Sequence, residues 1–137
     1  MEKQIVNNFF ISDLIRKSVC FYDMDEILNI FDDLDVNNEE QMKMVIRYFL
    51  LVNYYFQTNE YQVIFKNSLR FCLNTQKCDF YTIFERGMPA FELTYPHQDF
   101  FIWIWEVFYK YEDFMIESED LINFYIESND ERMLSKF

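Results

Sequence analysis

The chain of 137 residues contains one glycine, Gly87, and two prolines, Pro89 and Pro96. Tight β-hairpins depend on residues that tolerate positive φ, most often glycine. A sandwich or barrel needs many such turns, so a single glycine argues against both. Long helices joined by short polar turns fit better. Ala90 is the only alanine, and nothing in the sequence explains why a helical chain should lack the rest.

Half of the residues, 51%, are hydrophobic and 21% are aromatic, with 17 Phe and 10 Tyr. That composition excludes disorder for most of the chain. The length suits one domain spanning 1–137. A domain of this size buries roughly 65–70% of the surface of its unfolded chain and needs neither a disulfide nor a metal to hold it.

Capping signals and hydrophobic periodicity predict about six to seven helices. The first spans Lys3 to Cys20, with Ile5, Phe9, Ser12, Leu14 and Ile15 inward. Asp23 caps a second that carries Met24, Ile27, Leu28, Phe31 and Leu34. Asn37 and Glu40 have the spacing of a capping box. They open a third helix to about Gln57, whose apolar stripe is Met42, Val45, Ile46, Phe49, Leu50 and Val52. Glu60 to Leu73 reads as a fourth, with Tyr61, Ile64, Phe65, Leu69 and Cys72 inward.

Asp79 caps a short fifth helix that Gly87 ends as a left-handed terminator. Pro96 stands in the first turn of a sixth helix, near 97–117, that is apolar nearly all round and becomes the buried centre. Ser118 starts a seventh, and Ser128 to Glu131 form another capping box. The expected fold is an all-α, single-domain, multi-helix bundle. An α+β fold is the alternative, because the runs FFIWIW and RYFLLVNYYF are also rich in strand-forming residues.

The net charge is −12. Such a chain repels phosphate backbones and anionic membranes and favours basic partners. Neither direct nucleic-acid binding nor membrane binding is expected. The acids are clustered. Asp23, Asp25, Glu26, Asp32, Asp33, Asp35, Glu39 and Glu40 lie in a stretch with no base between Lys17 and Lys43. Glu112, Asp113, Glu117, Glu119 and Asp120 belong to a second stretch that meets no base until Arg132.

Acids in a first helical turn favour the dipole by about 0.3–1 kcal/mol each. That accounts for Asp25, Glu26, Glu39, Glu40, Glu119 and Asp120. It leaves Asp32, Asp33, Asp35, Glu112, Asp113 and Glu117, placed late in their predicted helices where the dipole disfavours negative charge. These thirteen acids are the candidate partner-binding residues, with nearby tyrosines and tryptophans as anchors.

Other chemistry finds little support. Asp33, Asp35 and Asn37 alternate as the first ligands of a calcium loop do, but Asn38 stands where glycine is required and Met44 where a bidentate glutamate is required. His97, the only histidine, lies two residues before Asp99, and residues two apart on a helix do not face each other. Cys20, Cys72 and Cys78 lack metal-ligand spacing and are expected to be free thiols in a reducing compartment. No apolar run follows Met1-Glu2-Lys3, so a soluble cytoplasmic protein is expected. No catalytic residue, metal or cofactor is expected.

In size, charge, paired acid blocks and abundant Tyr and Trp, the chain resembles the small, acidic, cytoplasmic immunity proteins that neutralise interbacterial toxins, including those of contact-dependent inhibition systems. The resemblance implies a non-enzymatic inhibitor that covers the basic active-site groove of a cognate toxin such as a nuclease. The alternative expectation is a phage- or virus-encoded helical modulator of a host nucleic-acid-binding or signalling protein.

Overall fold

The computed structural model describes residues 3–20 and 31–127. It is mostly helical, with one small sheet. Strand β1 is Gln4–Val6 and strand β2 is Phe124–Ile126, paired in parallel with Ile5 opposite Tyr125. The helices are α1 Phe9–Val19, α2 Glu39–Val45, α3 Val52–Tyr55, α4 Asn59–Asn74, α5 Phe80–Arg86 and α6 His97–Phe108. A π-helical turn, Ile46–Leu51, joins α2 to α3 in one continuous rod. A 3₁₀ helix, Ser118–Asn123, precedes β2.

The first correction lies at the start of the chain, where a helix from Lys3 was expected. Gln4–Val6 is instead a strand, and Asn7 separates it from α1. Asn7 is fully buried, and its side-chain oxygen accepts from the Phe9 amide at 3.0 Å, which opens the helix. Its own amide donates to Ser68 Oγ at 2.8 Å, and that hydroxyl donates to the Ile64 carbonyl at 2.6 Å. β1 thus packs on α4 through a satisfied polar contact. The hydroxyl of Ser12 does the same between α1 and α5, donating to the Ile83 carbonyl at 2.8 Å.

Gly87 ends α5 as expected, but for a different reason. Its φ is −76°, and the left-handed residue is Met88, at φ 50°. Gly87 is glycine because α1 passes against it, and a Cβ built there would lie 2.7 Å from Cβ of Ile15. A Cβ cannot be accommodated without moving the α1–α5 contact.

The rod of α2, the π turn and α3 has a four-residue period. Met42, Ile46, Leu50 and Tyr54 are buried, while Met44, Tyr48, Val52 and Phe56 are exposed. An ordinary helix repeats every 3.6 residues, so a strict period of four drifts off its face. The wider π turn absorbs that drift and keeps both stripes aligned. Val52, expected inward, is therefore exposed.

Helix α4 is capped by Thr58, whose Oγ1 accepts from the Tyr61 amide at 3.1 Å. It buries Tyr61, Ile64, Phe65, Leu69 and Cys72 as the sequence predicts. Asp79 caps α5, accepting from the Thr82 amide at 3.1 Å. The aromatic helix α6 buries Phe100, Phe101, Ile104 and Trp105 against the π turn, α2, α4 and α5. It is the expected central helix, and FFIWIW is helical. It ends at Phe108 rather than running on to 117. The chain folds back there, and the Trp105 indole N–H donates to the Glu112 carbonyl at 2.7 Å.

Beyond that turn the predicted seventh helix is only the 3₁₀ segment leading into β2. The thiols also differ from expectation: Cys72 and Cys78 form a disulfide joining the last turn of α4 to the approach to α5, and Cys20 is free and buried. The second predicted helix, apart from its Phe31 end, and the capping box at Ser128 lie outside the described residues.

Candidate partner-binding surface

The placement of the bases decides which acids remain uncompensated. Lys17 pairs with Asp13 at 2.9 Å and lies over the Tyr61 ring. Arg16 donates to the Arg86 carbonyl at 2.9 Å, capping the end of α5. Lys43 reaches Glu39 at 3.0 Å and Glu106 at 2.6 Å. Burial pulls the Lys43 pKa down, but the hydrogen bonds to Glu106 and Glu39 outweigh it, so the ammonium is held charged.

Lys66 and Arg70 meet Glu112 at 2.7 and 3.9 Å while lying over the rings of Tyr109 and Trp105. The hydrogen bond from Lys66 holds the Glu112 carboxyl below the usual carboxylate range, against the opposing effect of burial. Five of the twelve bases, Arg16, Lys17, Lys43, Lys66 and Arg70, are thus engaged within the fold.

In the first acidic block Asp23, Asp25 and Glu26 lie outside the described residues. Asp32 and Asp33 are exposed and make no ion pair among the described residues. Asp35 has a local role that its position in the sequence concealed. Its carboxylate accepts from the Asn37 amide at 3.0 Å, and its own amide donates to Gln41 Oε1 at 2.9 Å. The helix cap is Asn38, one residue later than the expected Asn37, and its Oδ1 accepts from the Gln41 amide at 3.1 Å. Asn37 instead accepts from the hydroxyl of Thr94.

The alternating Asp33, Asp35, Asn37 pattern is a helix-entry turn. Among the described residues no three His, Cys, Asp or Glu are grouped to hold a metal ion. Glu39 is tied to Lys43, and Glu40 is exposed and makes no ion pair among the described residues.

Running away from this acidic turn along the rod is the exposed stripe: Met44 at 50%, Tyr48 at 61%, Val52 at 46%, Tyr55 at 66% and Phe56 at 81% of full exposure. Contiguous apolar exposure of this kind marks interaction surfaces. By residue type alone Val52 was expected in the core. The signal that reveals the stripe is the period of four, which places 44, 48, 52 and 56 opposite the buried 42, 46, 50 and 54. At the head of the stripe a pocket of about 270 Å³ is lined by Phe31, Asp33, Leu34, Gln41, Met44, Val45, Tyr48 and Phe49.

The second block is held differently. Asn74 donates to the Phe114 carbonyl at 2.7 Å and accepts from the Ile116 amide at 3.1 Å, pairing with the backbone as a strand would. Asp113 accepts from the Met115 amide at 2.9 Å. Glu117, Glu119 and Asp120 are exposed along the 3₁₀ approach to β2.

A cleft of about 560 Å³ collects Lys43, Arg47 and Lys110 beside Tyr55, Tyr109 and Tyr111. Glu106 and Glu112 line the same cleft, so it is a mixed-charge groove and does not have the basic character of a phosphate-binding one. His97 is half-buried, edge-on to Tyr81 and Phe84 with ring centroids 5.1 Å away in each case.

No known protein family, curated protein or solved structure matches this chain. Among the described residues no helix is long and apolar enough to cross a membrane.

Proposed function

We propose that the chain is a non-enzymatic inhibitor of the immunity type. It would bind a cognate interbacterial toxin, such as a nuclease of a contact-dependent inhibition system, and cover the toxin's basic active-site groove. One observation carries the reading: the carboxylates of Asp32, Asp33 and Glu40, which make no ion pair among the described residues, stand at the head of an exposed aromatic stripe. Carboxylates attract a basic groove from a distance and speed encounter. Tyrosine and methionine side chains then supply the buried contact that slows dissociation. No cofactor or metal takes part, and nucleic acid is excluded from the same surface by its charge.

Cytoplasmic residence belongs to the same proposal, since an inhibitor must reach its toxin before the toxin reaches its target. The Cys72–Cys78 disulfide is the observation that bears against it, because such bonds are rare in a reducing compartment.

The test is to produce the chain together with the product of the adjoining reading frame. The expected result is a stable complex with a basic protein and loss of that protein's toxicity. A neighbour that neither binds the chain nor is neutralised by it overturns the immunity reading. Capture of a host nucleic-acid-binding protein from a phage or viral setting replaces it with the modulator reading.

A further inference from the structure

We propose that the pocket at the head of the stripe is an anchor site for one arginine side chain of the basic partner, with Asp33 as the counter-ion. The inference rests on the inhibitor reading and gives it a specific contact. Among the described residues the pocket's lining is almost wholly apolar: Phe31, Leu34, Val45 and Phe49 form it, and Met44 and Tyr48 stand at its exposed side. Phe31 is fixed from behind by an edge-on contact with Phe91, at 5.6 Å between centroids, and packs on Phe49 at 5.4 Å. Asp33 and Gln41 are the polar side chains among the described residues of the lining, beside the Tyr48 hydroxyl. Gln41 Oε1 is already engaged by the Asp35 amide, and Asp33 is the one charged residue of the described lining, so its carboxylate selects the charge of an occupant.

An occupant must therefore combine an apolar stem with a cationic head. An aliphatic side chain would cover a carboxylate without pairing it, which is costly. Lysine meets the charge requirement. Arginine also meets the shape requirement, because its guanidinium is planar, weakly hydrated, forked to match a carboxylate and able to stack on aromatic rings. A second copy of this chain is a poor donor, since it carries the same charge of −12. A further observation points to the same place. Tyr48 and Phe49 belong to the π-helical turn, and π turns inside α-helices concentrate at functional sites.

The intact chain, labelled at backbone nitrogen and methionine methyl positions, is titrated with three probes: N-acetyl-arginine amide, N-acetyl-lysine amide and N-acetyl-norleucine amide. The expected result is saturable NMR shifts at the Met44 methyl and the Leu34 and Tyr48 amides. Arginine should bind roughly fivefold tighter than lysine, and Asp33→Asn should weaken arginine roughly tenfold. Asp33 is exposed and makes no ion pair among the described residues, so this variant keeps the fold. Norleucine amide binding as well as the arginine probe, lysine matching arginine, or arginine shifts spread equally over 113–120, would each overturn the proposal. The probes need no toxin, so this test can fail while the inhibitor reading stands, or succeed while that reading falls.

Discussion

In the segment 112–120 the first acid, Glu112, is clasped by Lys66 and Arg70, and its carbonyl takes the Trp105 indole N–H. The backbone just beyond it is pinned by both ends of the Asn74 amide. In the segment 32–40 the only ion pair among the described residues is Glu39 with Lys43, and the neighbouring apolar side chains point outward as a stripe. The two segments have similar charge and opposite commitments. One uses Glu112 to strap the chain to α4 and α6 while Asp113, Glu117, Glu119 and Asp120 stay exposed, and the other sets its exposed acids beside the aromatic stripe. Charge density does not distinguish an interface from a strap. The positions of the few bases do, since each base that turns inward takes an acid out of circulation.

The largest expected effect follows directly. Asp32→Lys and Asp33→Lys, combined with Asp35→Asn to keep the helix-entry turn, should slow association with the partner by about a hundredfold at low salt. The deficit should shrink as salt rises, because screening removes steering. Reversing Glu117, Glu119 and Asp120 should change the rate by less than about threefold. Stopped-flow association measured at several ionic strengths decides the matter. A larger salt-dependent loss from the second triplet would invert the comparison and move the interface to the strap.

The strap has its own test. Asn74→Ala removes two hydrogen bonds to the 114–116 backbone and one to the Arg70 carbonyl. The expected cost is about 2 kcal/mol in urea denaturation, with faster amide exchange at Ile116. Asp33→Asn, in the other segment, should stay within about 0.5 kcal/mol of the parent. An Asn74→Ala protein of unchanged stability and protection would show that the second segment is not held down.

How much of this was readable beforehand depends on the range of the forces involved. Local signals served well: Asp79 and the 3.6-residue periodicity of α4 act within a turn or two, and the aromatic centre of α6 needs no partner to declare itself. Features set by distant residues did not. The β1–β2 pair joins opposite ends of the described chain. α6 stops at Phe108 because Trp105 finds an acceptor seven residues on. Gly87 is glycine because of Ile15. The candidate surface was half legible. The acid blocks are plain in the sequence, but their difference arises from Lys66, Arg70 and Asn74, which lie on α4. Val52 was expected inward because apolar type alone does not show the period, and a period of four is meaningful only with a π turn.

The smallest effect probes the commitment of Glu112 itself. The hydrogen bond from Lys66, aided by the charges of Lys66 and Arg70, lowers the Glu112 pKa in the folded state. A carboxyl so lowered contributes its full stability above its unfolded pKa and loses it as pH falls through the folded value. Glu112 is about half exposed, so Glu112→Gln should cost less than about 1 kcal/mol at neutral pH. That gap should close as pH drops from about 5 toward 3, where the parent carboxylate is itself protonated. High salt at neutral pH should narrow it in the same way. Urea midpoints for parent and variant across this range are sufficient. A gap that persists at low pH would mean that the glutamine disturbs packing beside Trp105 rather than an ion pair. If no gap exists at pH 7, Lys66 and Arg70 do not anchor Glu112, and the second segment regains its standing as a contact surface.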